Sequence, residues 1–210
     1  MSDEAALVEA WRGGDIQAGE RLVGAHLESV HRFFSNKVRG AADDLVQKTF
    51  LACAESLASF EGRSSFRAYL FGIARHVLYR YYRDADREFD PLTRSAGAAL
   101  VEEASPADRV ATRQEQKLLL RGLRELPLEL QTLVELAYWE GLSDRELAEV
   151  VEVAPGTVKS RLRKARQLLE EQLTRLAPNP QLLATTQQSL RAWAEGIRER
   201  TGIAGGHGRR

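Results

Sequence analysis

The chain has 210 residues, of which 43% are hydrophobic and 29% charged, and this length and composition suit one or two compact domains. Lys and Arg total 30, as do Asp and Glu, so the net charge of zero excludes any bulk electrostatic indication of a nucleic-acid partner. Such an indication can come only from local clusters of charge.

Several classes of protein are disfavoured by what the sequence lacks. Cys53 is the single cysteine, which excludes a disulfide framework and fits a reducing compartment. No run approaches ~18 consecutive apolar residues, so no membrane insertion is expected. The acidic start differs from a signal peptide, and the cytoplasm is the predicted location. The histidines are scattered and no catalytic or phosphate-binding motif is found, so we expect no catalytic residue, no metal, no cofactor and no enzyme activity.

The first half of the chain is predicted to hold four helices. Its apolar residues recur at helical spacing, and Leu, Ala, Arg and Glu are abundant. The helices are predicted to lie before Gly13 and at residues 15–34, 44–58 and 65–83. The periodicity then weakens through segments rich in Pro and Gly, which predicts a linker.

The second half resumes a helical pattern near Arg113. Further helices are predicted at residues 128–140, 143–152 and 157–176. Ser143 and Glu146 have the spacing of a capping box, in which each side chain satisfies a free backbone amide of the other. Leu142 and Leu147 flank this start as a hydrophobic staple would.

Two helices joined by the short Pro- and Gly-containing turn at 153–156 are typical of a DNA-binding helix-turn-helix. In the second of these helices an apolar face is predicted to point inward, and it consists of Val158, Leu162, Ala165 and Leu169. Residues 156–169 contain five cations and no acid, a charge pattern that suits a DNA groove. The alternative from these residues alone is a solvated basic face on an ordinary helical hairpin.

Several segments, in order, resemble those of a known family. Residues 126–131 (LPLELQ), 141–148 (GLSDRELA) and 156–162 (GTVKSRL) resemble the promoter-binding domain of sigma-70-type factors. Residues 43–51 (DDLVQKTFL) resemble their core-binding helix, and residues 60–70 (FEGRSSFRAYL) and 73–75 (IAR) their promoter-melting segment. The order and spacing resemble the extracytoplasmic-function (ECF) subgroup, over roughly residues 5–175.

The resemblance implies an all-α fold of two small helical domains joined by a flexible linker, with a helix-turn-helix in the second domain and a C-terminal helical extension. The expected divisions are a region 2 domain at 1–88, a linker at 89–112, a region 4 domain at 113–176 and an extension of unknown role at 177–210. The implied function is that of a sigma factor, which binds core RNA polymerase, reads the −10 and −35 promoter elements and assists DNA melting.

Helix 44–58 is expected, from the resemblance, to dock on the clamp of the largest polymerase subunit. Its predicted core stripe consists of Val46, Phe50, Cys53 and Leu57. Its predicted polymerase-binding face consists of Asp44, Gln47, Lys48, Leu51 and Glu55. A mixed polar and apolar face suits a partner surface, although an isolated surface leucine is also common. Lys48 departs from the family, which usually has Glu there.

The −10 element is expected to contact the loop from Phe60 and the helix that follows it. The residues that the resemblance assigns are Phe60, Arg63, Ser64, Arg75, His76 and Tyr79. A flipped base costs a few kcal/mol to unstack, so its pocket must supply stacking and hydrogen bonds. The predicted core face of this helix consists of Phe66, Leu70, Ile73, Val77 and Tyr81. His76 stands where the family often has Asn, and it could equally be a plain surface histidine.

The −35 element is expected to contact the second helix of the helix-turn-helix. The residues assigned are Thr157, Lys159, Ser160, Arg161, Arg163 and Lys164. Our hypothesis is that Arg163 and Lys164 carry base preference whereas Lys159 and Arg161 hold phosphates.

The tail after Pro178 lies outside the resemblance. Leu183, Leu190, Trp193 and Ile197 are spaced for one helical stripe, which could pack on the protein itself or bind a regulator. The last six residues are expected to be mobile. Beyond the clamp, the resemblance implies contacts with the polymerase flap and makes an anti-sigma factor a candidate partner. The alternatives are a helix-turn-helix regulator that does not join polymerase, and an enzyme or adaptor with an incidental helix-turn-helix.

Overall fold

The computed structural model describes residues 3–96, 114–184 and 186–187, and the regular elements in these ranges are helices. The N-terminal domain holds α1 (Asp3–Arg12), α2 (Ile16–Ser35), α3 (Ala42–Ser56), a 3-10 turn (Leu57–Ser59) and α4 (Phe66–Ala85). The C-terminal domain holds α5 (Gln114–Arg124), α6 (Leu128–Tyr138), α7 (Asp144–Val151) and α8 (Pro155–Leu176). The expected all-α fold with two helical domains is confirmed. None of these helices combines the length and the apolar character needed to cross a bilayer.

The starts of α2 and α4 are set by side chains that cap their first turns. Asp15 accepts a hydrogen bond from the Ala18 amide at 3.1 Å, and Ser65 accepts one from the Ala68 amide at 3.2 Å. Each cap satisfies an amide that has no partner inside the helix, which stabilises the helix by about 1 kcal/mol. The Ser65 cap therefore fixes the point at which the loop after Phe60 becomes α4.

Aromatic side chains fill the core of the N-terminal domain and hold α4 against α2 and α3. The Phe33 ring packs edge-on against Phe34 and Phe71, with ring centroids 5.3 and 5.7 Å apart. Phe34, Phe71 and Leu78 are fully excluded from solvent. Because these side chains fix its rotation, α4 presents a second, more polar face to the C-terminal domain, where it packs against α7.

Helix α6 is the central element of the C-terminal domain, and every one of its residues is buried. It packs against α7 and α8. Glu129, Gln131 and Glu135 are among the buried residues, although charged and amide side chains lose free energy on burial unless they find partners. Some of these partners come from the N-terminal domain.

The helix-turn-helix is formed by α7 and α8. The predicted capping box is confirmed, since Ser143 donates its amide to Glu146 at 2.9 Å and accepts the Glu146 amide at 3.3 Å. Helix α7 ends at Val151, and its C-cap residue Glu152 adopts a left-handed conformation with a φ of 57°. Pro155 then opens α8 at its first position, where a missing amide hydrogen costs nothing.

The segment expected to be a flexible linker is hydrogen-bonded to the start of α6 in its described part, residues 89–96. The carbonyl oxygens of Arg94 and Pro91 accept hydrogen bonds from the Leu128 and Glu129 amides at 2.8 and 2.9 Å. Pro127, which precedes α6, has no side-chain oxygen to cap these amides, so the chain leaving α4 supplies the cap instead. The rest of the expected linker, residues 97–112, lies outside the described residues.

A short helical stretch at 180–184 and 186–187 follows α8. Asn179 starts it by accepting the Leu182 amide at 2.8 Å. Leu183 is partly buried against the core, as self-packing of the tail would require. The other members of the predicted stripe (Leu190, Trp193 and Ile197) lie outside the described residues.

Candidate nucleic-acid and polymerase interfaces

The first turns of α8 present a cluster of cations to solvent. Lys159, Arg163 and Lys164 are exposed, as is Ser160, whose hydroxyl donates to the Thr157 carbonyl at 2.9 Å. Thr157 is half-buried at the edge of this group. These side chains come from the first three turns of one helix and carry no acidic neighbour on it, which makes the surface locally positive.

The opposite face of α8 fixes the direction of this cationic surface. Val158, Leu162, Ala165 and Leu169 are all buried, as predicted from their spacing. At one edge the exposed Lys159 ammonium lies 3.9 Å from the half-buried Asp144 carboxylate of α7, a long contact that water and salt weaken. The basic face of α8 is therefore held outward by its own apolar packing.

Arg161 stands apart from the other residues assigned to α8. Its guanidinium donates to the Glu129 carboxylate of α6 at 2.7 Å, and only 23% of its side chain is exposed. The structure thus does not bring Arg161 into the exposed cationic group with Lys159. In this conformation its charge is already satisfied within the C-terminal domain.

The predicted polymerase-binding face of α3 is open to solvent. The exposed residues are Asp44, Gln47, Lys48, Leu51 and Glu55. Leu51 is 57% exposed although it is apolar. Lys48 and Asp44 pair with each other at 2.6 Å, so the unusual lysine neutralises a carboxylate on this face. Of the predicted core stripe, Val46, Cys53 and Leu57 are buried and Phe50 is half-buried.

Cys53 belongs to that core, as the sequence predicted. Burial of the thiol raises its pKa to about 12, so it is not ionised at neutral pH. A buried thiol of this kind is a packing group and not a reactive one.

The loop residues assigned to the −10 element differ in accessibility. Arg63 is exposed and lies 3.0 Å from the neighbouring Glu61 carboxylate, and Ser64 is half-buried. Phe60, by contrast, is 9% exposed and packs on the Tyr69 ring with centroids 4.7 Å apart. Phe60 is therefore part of the N-terminal core in this conformation.

Two of the α4 residues assigned to the −10 element lie beneath the C-terminal domain. Arg75 is 9% exposed and Tyr79 is 8% exposed. The Tyr79 hydroxyl donates to Glu129, and the Arg75 guanidinium lies over the Tyr79 ring at 4.6 Å. Burial and the nearby carboxylate raise the pKa of Tyr79 well above its usual range, so the phenol remains a donor. His76 is exposed, with Nε2 3.1 Å from the Glu152 carboxylate.

The predicted core face of α4 is only partly correct. Phe66 and Leu70 are buried, but Ile73, Val77 and Tyr81 are half-buried. The fully enclosed apolar positions are Phe71, Ala74 and Leu78. The buried arc is rotated relative to the prediction because the C-terminal domain covers Arg75 and Tyr79 on a second face of the helix.

Three residues that the sequence analysis did not identify make buried polar contacts: Lys37, Glu129 and Glu135. Lys37 pairs with Glu135 across the two domains, and both side chains are almost fully excluded from solvent. One signal was available, because Glu129, Thr132 and Glu135 recur every three residues in a helix whose other residues, apart from Gln131, are mostly apolar. That spacing indicates a polar buried face but does not name its partners.

The family model for Sigma-70 region 2 matches residues 22–88, and the model for Sigma-70, region 4 matches residues 116–169. Together the two models match more than half of the chain, and they fall on the two helical domains. The chain belongs to the sigma-70 family.

Curated relatives place this sigma factor in the ECF subgroup. The ECF RNA polymerase sigma-E factor of Haemophilus influenzae is 29% identical over 177 residues, which are 80% of this chain and 94% of the relative. The ECF RNA polymerase sigma-E factor of Escherichia coli K12 is 28% identical over 176 residues, which are 80% of this chain and 92% of the relative.

Solved structures share the fold of this sigma factor. The sigma factor RpoE, in complex with the anti-sigma factor NepR from Bartonella quintana, is 26% identical with a TM-score of 0.61, over 75% of this chain and 97% of that one. CnrH, in complex with the cytosolic domain of CnrY, matches with a TM-score of 0.63 at 23% identity, over 84% of this chain and 100% of that one.

The family assignment also decides between the alternatives drawn from the sequence. An RNA polymerase sigma factor directs transcription initiation, and that is the function of this chain. A helix-turn-helix regulator that acts without polymerase is not favoured, because the region 2 match covers the N-terminal domain as well.

Proposed function

We propose that this sigma factor divides its work between exposed surfaces of its two domains. The α3 face docks on the clamp of core RNA polymerase, the loop after Phe60 and α4 read the −10 element, and α8 reads the −35 element. On this proposal residues 1–88 form the region 2 unit, 89–112 the connection, 113–176 the region 4 unit and 177–210 an extension.

The single observation that carries the proposal is the geometry of α8. One side of this helix packs in the helix-turn-helix core, and from the other side three cationic side chains project into solvent: Lys159, Arg163 and Lys164. A major groove admits one helix, its phosphates attract cations, and Arg or Lys can bond guanine edges. Thr157 and Ser160 add small hydroxyl groups to the same surface. Lys159 is assigned to phosphate, and Arg163 and Lys164 to base preference.

The residues assigned to the −10 element differ in whether DNA can reach them in the present conformation. Arg63, Ser64 and His76 could meet a DNA strand in the present conformation. Phe60, Arg75, Tyr79 and, on α8, Arg161 would first have to be uncovered or released from their present partners. The roles of these four side chains therefore depend on a conformational change.

The proposed partners are core polymerase, contacted through its clamp and flap, and promoter DNA. An anti-sigma factor is a further candidate, because both relatives of known structure described above were solved in complexes and one partner is named as an anti-sigma factor. These partners would place the protein in the cytoplasm, where the polymerase works. The chain would contribute binding alone, while the chemistry of RNA synthesis belongs to the polymerase.

Transcription with reconstituted polymerase tests this assignment. The full chain is mixed with core polymerase and a randomised promoter library, and transcript starts are sequenced. We expect starts that share −10 and −35 elements. Arg163→Ala/Lys164→Ala should weaken the sequence preference at the −35 element among the promoters used. Lys117→Ala/Arg121→Ala, which removes the same charge from exposed positions of α5, should leave that preference unchanged. Absence of chain-dependent starts would refute the proposal.

A further inference from the structure

The loop assigned to the −10 element, residues 60–65, has few backbone contacts that could fix its shape. Among the described contacts, no backbone–backbone hydrogen bond involves residues 61–64. Gly62 turns the chain with a φ of 67°, and Arg63, which follows it, is exposed. A segment with so few contacts of its own is held mainly by what lies at its two ends. The elements that pack against those ends therefore decide where the loop presents its side chains.

The first end of the loop is held by Arg12, the last residue of α1. Its Nη2 atom donates to the carbonyl oxygen of Ala58 at 3.3 Å, in the 3-10 turn that leads into Phe60. Its Nη1 atom donates to the carboxylate of Glu9, one turn earlier on α1, at 2.9 Å. The bond to Glu9 fixes the direction of the guanidinium, because its nitrogens form a rigid planar fork. The turn before the loop is therefore attached to α1.

The other end of the loop is held by Trp11, the neighbour of Arg12. Its indole lies edge-on to Phe66, the first residue of α4, with ring centroids 6.4 Å apart and an interplanar angle of 69°. Phe66 is 3% exposed and packs edge-on against Phe60 in turn, with ring centroids 6.3 Å apart. Edge-to-face pairs of this kind favour a defined mutual orientation. Helix α1 therefore supports the loop where it ends as well as where it begins.

Helix α1 is itself fixed on α2 near both of its ends. Near its start, Glu4 accepts a hydrogen bond from Nε2 of His26 at 2.8 Å, and His26 is 3% exposed. Near its end, the Trp11 indole lies over Gly19, where a Cβ would be only 2.6 Å from Nε1. Because Gly19 carries no Cβ, the indole can occupy this position against Phe66. Helix α1 is therefore a firm support for the loop and not a loose N-terminal arm.

We propose that Trp11 and Arg12 are positioning residues for recognition of the −10 element. They hold the loop at 60–65 in the one geometry in which its accessible side chains meet the promoter strand. The inference rests on the proposed function, because it takes Arg63 and Ser64 as −10 contacts. A side chain that reads a ligand depends on the residues that support it, since a displacement of about 1 Å is enough to weaken its contacts. Sequence preference at the −10 element therefore depends on α1, although α1 itself is not assigned to DNA.

Arg12 offers the cleaner of two tests, because it is exposed and its truncation leaves no buried cavity. Arg12→Ala removes the bond to Ala58, whereas Arg12→Lys keeps a charged donor for the same carbonyl oxygen. Arg21→Ala is the matched control, because it removes the same charge from an exposed position of α2. Trp11→Phe tests the other end of the loop, since the smaller ring fills less of the space against Phe66.

The experiment uses the full chain assembled with core polymerase. Promoters randomised at either the −10 or the −35 element are transcribed, and the ratio of transcripts from the best and from the average sequence gives the preference at each element. We expect Arg12→Ala to lower the −10 preference about fivefold, the factor that one hydrogen bond is worth, and Trp11→Phe to lower it as well. Arg12→Lys should keep most of the preference. The −35 preference and the affinity for core polymerase should stay unchanged in every variant.

Three results would overturn this role of α1. The first is an unchanged −10 preference in both Arg12→Ala and Trp11→Phe. The second is an equal loss in Arg12→Ala and Arg21→Ala, which would reflect charge alone. The third is a parallel loss of −35 preference, which would reflect general destabilisation of the chain. Failure of the proposed function is seen separately, because an unchanged −10 preference in Arg63→Ala/Ser64→Ala would remove the loop from the promoter interface, whatever the α1 variants did.

Discussion

Lys37 of the N-terminal domain and Glu135 of the C-terminal domain form an ion pair in which both side chains are almost completely excluded from solvent. The Lys37 ammonium also donates to the Phe33 carbonyl at 3.0 Å and lies 3.9 Å from the centroid of the Phe33 ring. Gln131 donates to Glu135 at 2.8 Å. Burial lowers the pKa of Lys37 and raises that of Glu135, and the attraction between the two charges opposes both shifts. Burial of either charge is therefore tolerated only because the opposite charge lies beside it.

Removing one member of this pair should be far more costly than removing both. Glu135→Leu leaves the Lys37 ammonium buried without its counter-charge, which costs about 3–5 kcal/mol, whereas a hydrophobic replacement of both partners is often close to neutral. We therefore expect Lys37→Met and Glu135→Leu each to open or unfold the chain, and Lys37→Met/Glu135→Leu to restore most of the loss. Urea denaturation and the radius of gyration measure the two effects. Additive losses in the double variant would contradict this account.

Two glycines of α2 should respond oppositely to alanine. A Cβ on Gly19 would lie 2.6 Å from Nε1 of Trp11, so the indole of α1 would have to move, at a cost of about 1–3 kcal/mol. At Gly24 no described atom lies within 4 Å of the same position, and alanine should stabilise the helix by about 0.5–1 kcal/mol. Thermal denaturation of Gly19→Ala and Gly24→Ala compares them directly. Equal effects would show that α1 does not pack on α2 through Trp11.

Local signals explain why the helices could be predicted. Helices α2, α4 and α7 begin at capping residues, Asp15, Ser65 and Ser143, whose side chains accept hydrogen bonds from amides three residues ahead. The start of each helix can therefore be predicted from residues that are close together in the sequence. The inward face of α8 follows likewise from a 3.6-residue period. Most predicted boundaries consequently lie within two or three residues of the observed ones.

Long-range partners explain what could not be predicted. Periodicity on α4 locates an apolar face, but it cannot reveal that Arg75 and Tyr79 are buried by a second domain. Lys37 and Glu135 are 98 residues apart, and each alone reads as an ordinary surface charge. The same holds for Arg161, whose partner Glu129 comes from another helix. Such pairings depend on how domains pack, which a single sequence does not encode in any local pattern.

Leu51 should be a main apolar contact of α3 with core polymerase. It is 57% exposed and flanked by polar residues, so its truncation costs the folded chain little but removes apolar area from a partner surface. We expect Leu51→Ala to weaken core binding about tenfold without lowering the melting temperature. Leu92→Ala, which alters another exposed leucine outside α3, is the control. Fluorescence titration with labelled core polymerase measures both, and equal affinities would remove Leu51 from the interface.

Lys159 should contribute to DNA binding without regard to sequence. Its ammonium is 67% exposed and leaves the same face of α8 as Arg163. A phosphate contact releases about one counterion, so Lys159→Ala should weaken binding to all duplexes and lower the slope of log affinity against log salt by about one. Arg163→Ala should instead change the preferred −35 sequence. A changed preference in Lys159→Ala with an unchanged slope would reverse the two assignments.

Glu146 should make stability depend on acid pH. Although partial burial favours its protonated form, hydrogen bonds from Ser65 and Ser143 outweigh that effect and hold the pKa of Glu146 below its usual value. A lowered pKa in the folded state means that the ionised carboxylate stabilises the fold above about pH 4.3, and that this contribution is lost as the pH falls through the folded pKa. Gln can complete the same capping box but lacks the negative charge near the helix N-terminus, so Glu146→Gln should be about 0.5 kcal/mol less stable than the wild type at pH 7, and the difference should shrink toward pH 3.

Urea denaturation at several pH values measures this difference in the free energy of unfolding. Glu149→Gln is the control, because that carboxylate lies on the same helix but outside the capping box. A Glu146 difference that stayed constant down to pH 3 would mean that the glutamine variant loses packing and not an ionised cap. A difference that grew on acidification would imply a raised pKa, opposite to the one that the hydrogen bonds from Ser65 and Ser143 impose.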